Sequence, residues 1–423
     1  MTHTSFRSRP VRAPGIILFR AGRILRLGVG LSLLAACPLP ALDWHRWRGP
    51  DANGISRETD WMAQWPAEGP NRVWKANVGT GFSSVAVSGG RVYTMGNQGK
   101  QDTVVCLDAN TGAVRWKHAY DAPMDPKYYE GGPSATPTVD GERVYTLSKR
   151  GVAFCLETAT GRVVWSKNLT RDLGVEIPTW GFAGSPFVEG ELVIFNVGSA
   201  GTALDKTTGK IVWTSGKDEG GYATPVPCAV GSARCVALFL ADAVAAVRIK
   251  DGQEIWRHRW KTDHNVNAAD PIVAGERVFI SSGYNRGAAL LDIAGRKPSV
   301  VWENRNMRNH FNSCVLVEGN LYGFDEGELK CLDFQSGKVH WSESSLGKGS
   351  LIASDGKLII LGERGQLVTA EASAAAFKPL ARAQVLGGKC WTAPALSHGK
   401  IYCRNAGGDL VCVDVSAKQT VLE

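Results

Sequence analysis

The sequence predicts an all-β protein, an eight-bladed β-propeller of four-stranded antiparallel blades, and three observations lead there. The first is a phrase that recurs with variations: VVCLDANTGAVRW (104–116), AFCLETATGRVVW (153–165), GTALDKTTGKIVW (201–213), AVAAVRIKDGQEIW (243–256) and LKCLDFQSGKVHW (329–341). The second is spacing. Trp116, Trp165, Trp213, Trp256, Trp302 and Trp341, with Phe377 in the seventh place, recur at intervals of 36 to 49 residues, the length of one four-stranded propeller unit. The third is an incomplete last unit. Residues 391–415 supply three strands and no closing Trp, while NRVWKANV (71–78), with Trp74, stands alone at the front. Joined, the two make an eighth blade and leave no sheet edge open.

Each unit reads in four pieces. A small polar segment comes first: SATP (134–137), AGSP (183–186), YATP (222–225), AADP (268–271), WTAP (391–394). A Gly turn and an alternating apolar run follow, from Gly90, Gly141, Gly275, Gly356 and Gly399. A third run ends in Cys-Leu-Asp or an equivalent, and a fourth follows Thr-Gly and carries the Trp. Period-2 alternation between turn residues means antiparallel strands joined as a meander. In the Asp-x-x-Thr-Gly turns, Asp108, Asp205 and Asp333 are placed to accept backbone amide hydrogen bonds. Gly112, Gly161, Gly209, Gly252 and Gly337 can take positive φ there. The Trp is too large to leave exposed, so Trp74, Trp116, Trp165, Trp213, Trp256, Trp302 and Trp341 are read as wedges that dock one blade on the next.

The front of the chain is different. Six arginines and no acid lie in the first 26 residues, followed by the apolar run LGVGLSLLAA (27–36). This fits an export signal. LAAC (34–37) resembles a lipobox, which makes Cys37 a candidate lipidation site; cleavage near Ala41 is the alternative. The resulting division is 1–37 signal peptide, 38–70 N-terminal lead-in segment, 71–416 propeller and 417–423 tail. Most of the formal charge of +8 belongs to the leader. The nearly neutral body argues against a nucleic-acid partner, which needs a basic face. Export implies an oxidising compartment. Cys106, Cys155, Cys331 and Cys412 fall at one repeat position and are read as buried thiols, and Cys228 and Cys235 can face each other on a hairpin and form a disulfide.

LDANTGAVRW, LDKTTGKIVW and LDFQSGKVHW resemble the repeats of the pyrroloquinoline-quinone (PQQ) β-propeller family, with their tryptophan-docking motifs. DWHRWRGPDANGIS (43–56) resembles the segment that precedes the first blade there. The resemblance spans about residues 43–416 and covers two branches: the quinoprotein dehydrogenases, and PQQ-like propellers without cofactor, including the propeller lipoprotein of the outer-membrane β-barrel assembly machinery. In the first branch, the resemblance implies PQQ held in the central cavity by Ca²⁺ and covered by an adjacent Cys–Cys disulfide. This chain has no Cys–Cys pair and no C-x-x-C-H haem motif.

Polar and aromatic residues of the predicted innermost strands are the candidate channel-facing site: Glu130, Trp180, Tyr222, His264, Asn265, Asn267, Asp270, His310, Asn312, Lys348 and Trp391, beside Phe82 and Ser83. Glu130, Asn265 and Asp270 carry oxygens suited to Ca²⁺, and Trp180 or Trp391 can stack on a planar ring. Asp270 precedes Pro271 and can equally hold a channel-side turn. The loops 118–134 and 167–184 lead into inner strands and should form the rim of one face. The expected function is a monomeric cell-envelope binding or scaffold propeller, in the periplasm or membrane-anchored only through lipid. It would hold a protein or polymer partner, use no cofactor and carry out no covalent chemistry. The alternative is a PQQ- and Ca²⁺-dependent alcohol or sugar dehydrogenase.

Overall fold

The structure, a computed structural model, describes residues 43–417 except Arg296. The leader, Cys37 and the end of the tail lie outside the described residues. No helix among the described residues is long and apolar enough to cross a membrane.

Eight sheets form the blades, each of four antiparallel strands, with the short strand Ile55–Ser56 added in parallel as a fifth to blade 7. Their inner strands, in blade order, are Ala86–Ser88, Thr138–Asp140, Phe187–Glu189, Val226–Val230, Ile272–Ala274, Val315–Val317, Ser350–Ser354 and Ala395–Ser397. The eighth blade runs Ala395–Ser397, Lys400–Arg404, Asp409–Asp414 and then Asn71–Asn77 from the front of the chain, so the ring closes as the repeat spacing requires. Fully buried Arg404 pins that closure. Its guanidinium donates to the Ser83, Met95 and Gly79 carbonyls and to Thr94 Oγ1 of blade 1, at 2.6–2.9 Å, with no carboxylate in the set.

The repeat chemistry is the expected one at its turns. Asp108 Oδ1 accepts from the Asn110 and Thr111 amides at 3.0 and 2.9 Å, and Asp205 Oδ1 does the same at Thr207 and Thr208. Each Trp crosses to the next blade. Trp74, Trp116, Trp165 and Trp213 donate their indole N–H to the Ala109, Thr158, Lys206 and Ile249 carbonyls at 2.7–3.0 Å. Their rings cover Gly112, Gly161, Gly209 and Gly252, where a Cβ would sit 2.5–2.7 Å from ring carbon. A register shift precedes every Trp pairing, the mark of a β-bulge that re-aims the side chain.

The repeated cysteines gain a physical role. Tyr93–Cys106–Trp116, Tyr145–Cys155–Trp165, Tyr322–Cys331–Trp341 and Tyr402–Cys412–Trp74 are cross-strand rows on strands two, three and four. The small thiol lets Tyr and Trp ring centroids approach to 5.9–6.1 Å over it. All nine cysteines among the described residues are buried and free. Cys228 and Cys235 are direct cross-strand partners, as expected, but as thiols.

One placement is corrected. In blade 7 the pairing position of the wedge belongs to Ala381, opposite Thr369, and not to Phe377, which packs on Trp341 of blade 6. Blade 7 therefore lacks its wedge. The lead-in segment replaces it: Trp61 and Trp65 join the cluster of Leu361 and Leu367 from blade 7 with Leu396 and Ile401 from blade 8, and Thr369 Oγ1 donates to the Ala63 carbonyl.

Earlier in its course the lead-in segment seals the channel. The Val87 and Val139 amides of the inner strands of blades 1 and 2 donate to the Trp44 and His45 carbonyls, both at 2.8 Å. Arg48 donates to the Cys314 carbonyl ahead of blade 6, and Ile55–Ser56 pairs in parallel with the inner strand of blade 7. Asp43 bonds Ser88 and His398, beside the turns that end the inner strands of blades 1 and 8. The chain thus arrives on this turn face. The connections between strands two and three, and those from one blade to the next, lie on the opposite, mouth face.

Candidate functional site

The residues before the inner strands are held by a belt of hydrogen bonds. The Ser84 amide donates to Thr136 Oγ1, Thr136 to Ser185 Oγ, Ser185 to Thr224 Oγ1, Thr224 to Asp270 Oδ1 and Asp270 to Ser313 Oγ, all at 2.8–3.0 Å. Each side-chain oxygen satisfies a backbone N–H of the preceding blade that would otherwise point into the channel unpaired. This is why four of the five small polar segments carry Ser, Thr or Asp just before Pro, which has no N–H to give. Asp270 is the belt's only carboxylate. Its second oxygen takes the Trp47 indole N–H at 2.6 Å and lies 3.8 Å from Arg48 Nε. Burial pushes the Asp270 carboxyl above its ordinary value, opposed by Arg48, the Thr224 amide and Trp47.

Above this floor a cavity of about 600 Å³ opens to the mouth face. Its wall is a near-continuous circuit of rings. Tyr129 meets Phe82 at 5.4 Å, Phe82 meets Trp391 at 6.0 Å, and Trp391 meets Phe311 at 4.6 Å. His310 follows at 5.3 Å, Tyr284 at 5.0 Å, His264 at 5.8 Å, Trp180 at 6.3 Å and Tyr222 at 6.2 Å. With Trp47 at the base the cavity is a blind aromatic funnel. Several rim residues hold positive φ without being Gly: Tyr128 (65°), His264 (62°) and Tyr284 (53°). Bulky side chains avoid that region, so the surrounding structure imposes it.

Several charges around the funnel are paired with one another. Lys348 Nζ lies 2.8 Å from Glu326 Oε2 and 3.1 Å from His310 Nδ1. Because an ammonium only donates, His310 accepts at Nδ1 and carries its proton on Nε2. Burial and Lys348 lower the His310 pKa, which keeps the ring neutral. Lys389 pairs with Glu130 at 2.9 Å and lies over the Trp391 ring at 4.3 Å, and the Trp391 indole donates to Glu363 at 2.9 Å.

Of the residues singled out from sequence, Trp180, Tyr222, His264, Asp270, His310, Asn312, Trp391 and Phe82 line the funnel. Lys348 stands behind His310, and Glu130 sits at the rim. Asn265 is turned to Glu219 at 3.1 Å. Asn267 does not face the channel: it is fully buried, and its amide donates to the Leu240, Ala241 and Trp260 carbonyls. Ser83 is likewise inside the wall, under Arg404. Trp47, Tyr129, Tyr284 and Phe311 were not anticipated. Tyr284 was within reach, since its turn joins strands two and three of blade 5 and every such turn opens on the mouth face.

The oxygens proposed for Ca²⁺ do not meet. Glu130 is held by Lys389, Asn265 by Glu219, and both Asp270 oxygens are occupied beside a guanidinium. Among the described residues no three His, Cys, Asp or Glu side chains cluster as a metal site. A buried cation beside Arg48 is opposed by charge, so the donor set does not fit a Ca²⁺-held PQQ.

The loops 118–134 and 167–184 supply Tyr128, Tyr129 and Trp180 to the mouth. The second contains a single helical turn, Leu169–Leu173. It is capped by the Asn168 side chain on the Arg171 amide and closed by Gly174 at φ 65°, a short-range cap pair. Tyr128 is wholly exposed and Ile177 is 39% exposed.

Comparison with known proteins agrees with this architecture. A sequence profile described as outer membrane protein assembly factor BamB matches residues 65–132 and 124–343. Outer membrane protein assembly factor BamB of Yersinia pestis is 23% identical over 323 residues, 70% of this chain and 77% of that protein. The crystal structure of BamB from Moraxella catarrhalis superposes with a TM-score of 0.59 at 14% identity, covering 81% of this chain and 97% of that one. Quinohemoprotein alcohol dehydrogenase from Comamonas testosteroni superposes with a TM-score of 0.65 at 14% identity, covering 90% and 82%. At such identities the structural likenesses speak to fold alone.

Proposed function

The chain belongs to the outer membrane protein assembly factor BamB family, and from that premise we propose that it is a cell-envelope scaffold whose mouth face holds a protein partner without covalent chemistry. The observation that carries this reading is the asymmetry of the two faces. The turn face receives the incoming chain at Asp43, which bonds Ser88 and His398, and the mouth face is left open. The mouth carries the two long loops, with Tyr128 and Ile177 presented to solvent. Exposed aromatic and apolar groups on a rim suit a protein contact. A quinoprotein dehydrogenase is disfavoured by the committed oxygens of Asp270, Glu130 and Asn265.

A photo-crosslinking amino acid placed at Tyr128, at Ile177 and, as a control, at Glu142 on the turn face tests the assignment in envelope fractions. A discrete adduct from positions 128 and 177, absent from 142, is the expected result. Adducts from 142 alone, or from no position, overturn the assignment of the mouth.

A further inference from the structure

We propose that the blind funnel binds the end of a neutral carbohydrate chain, a site independent of the protein contact at the rim. The floor dictates the end. Residues 44–56 close the channel, so an occupant enters and stops, and a polymer can present only its terminus. The wall dictates the chemistry. Ring faces carry negative quadrupole density, against which the C–H face of a pyranose packs well. The ring edges are polar: the Trp180 indole N–H and the Tyr284 hydroxyl have no hydrogen-bond partner among the described residues and are free to meet sugar hydroxyls.

The electrostatics select a neutral ligand. Lys348 with Glu326, Lys389 with Glu130 and Arg48 with Asp270 are paired, and Lys127 and Lys149 stand at the mouth, on the Thr179 carbonyl and the Tyr129 hydroxyl, so a charged group drawn down to the floor meets no unpaired counter-charge there. A peptide lacks its usual handle. Strand addition needs a free edge, yet the inner strands are short and Trp44 and Ile55–Ser56 already pair with those of blades 1 and 7. His264 and Tyr284 hold positive φ, as turn residues elsewhere in the ring do, and both rings stand in the cavity wall.

The test is calorimetric and fluorescence titration of the mature protein with two neutral disaccharides, diacetylchitobiose and cellobiose. A uronic-acid-containing disaccharide and a Trp-containing tripeptide serve as competitors in class. Saturable one-to-one binding of a neutral disaccharide is expected. Trp180→Ala should weaken it by about tenfold, the scale of one lost stacking face, with an unchanged melting curve. Tyr284→Phe, which keeps the ring and the fold, should weaken it by less. The proposal is overturned by no saturation with either neutral sugar at about 20 mM, weaker than any useful affinity. It is equally overturned by tighter binding of the charged sugar or the tripeptide, or by native affinity in both variants.

Discussion

At the scale of single residues, two buried carboxylates illustrate how position decides role. Asp270 reads in the sequence as a candidate Ca²⁺ ligand or the holder of a channel-side turn, in a polar stretch leading to the channel. In the structure it is one bead of a belt of Ser and Thr oxygens, and its extra charge answers Arg48 and Trp47 of the lead-in segment. Asp102, in blade 1, has no cation bonded to it. Its Oδ1 takes the Asn97 side-chain N–H at 2.7 Å, and burial pushes its pKa up to about 6. The folded protein keeps this proton over a range where the unfolded chain, with an ordinary value near 3.8, has released it. The stability contributed is therefore full below about pH 4, declines as the pH rises to about 6 and stays lost above it. Between those limits Asp102→Asn should gain on the native protein by up to about 3 kcal/mol. Denaturant midpoints measured across that range check it, and parallel curves for the two proteins would contradict it.

At the scale of the blade, the Trp wedge and the Gly beneath it act as one part. Gly161 has φ 71°, and a Cβ there would lie 2.5 Å from the Trp116 ring. Gly141 has φ 55° and open space around it. Both disfavour a side chain through the backbone, at about 1 kcal/mol. Only Gly161 adds overpacking, a further 1–3 kcal/mol or so. Thermal unfolding should rank Gly161→Ala well below Gly141→Ala, and equal losses would mean that the wedge does not bear on that turn. This pairing was readable in advance, because Asp-x-x-Thr-Gly and the Trp that follows are local in sequence. The vacant wedge of blade 7 was not readable. Phe377 has the right size and spacing, and only strand register shows that Ala381 holds the place.

At the scale of the whole molecule, the ring is closed by strand pairing and by Arg404. Its guanidinium spans from blade 8 into blade 1, and Arg404→Met strands several buried carbonyls at 1–3 kcal/mol each. The variant should lose about 3 kcal/mol or more, and its first amides to exchange with deuterium should be those of Asn71–Asn77. Exchange spread evenly over all blades would place the weak seam elsewhere.

The sequence by itself determined the blade, the count of eight and the circular closure. These depend on turns, alternation and one repeated aromatic, all of which act over a few residues or between adjacent units. Trp180, Tyr222, His264, His310 and Trp391 were also legible as mouth residues, since they precede inner strands. Only the tertiary structure decided the rest: the plug at residues 44–56, the replacement of a missing wedge by Trp61 and Trp65, the burial of Asn267 and the pairing of Lys348 with Glu326 and of Lys389 with Glu130 at the funnel. These arise where eight blades converge on one axis, and residues hundreds of positions apart meet there by symmetry of the ring rather than by any spacing along the chain.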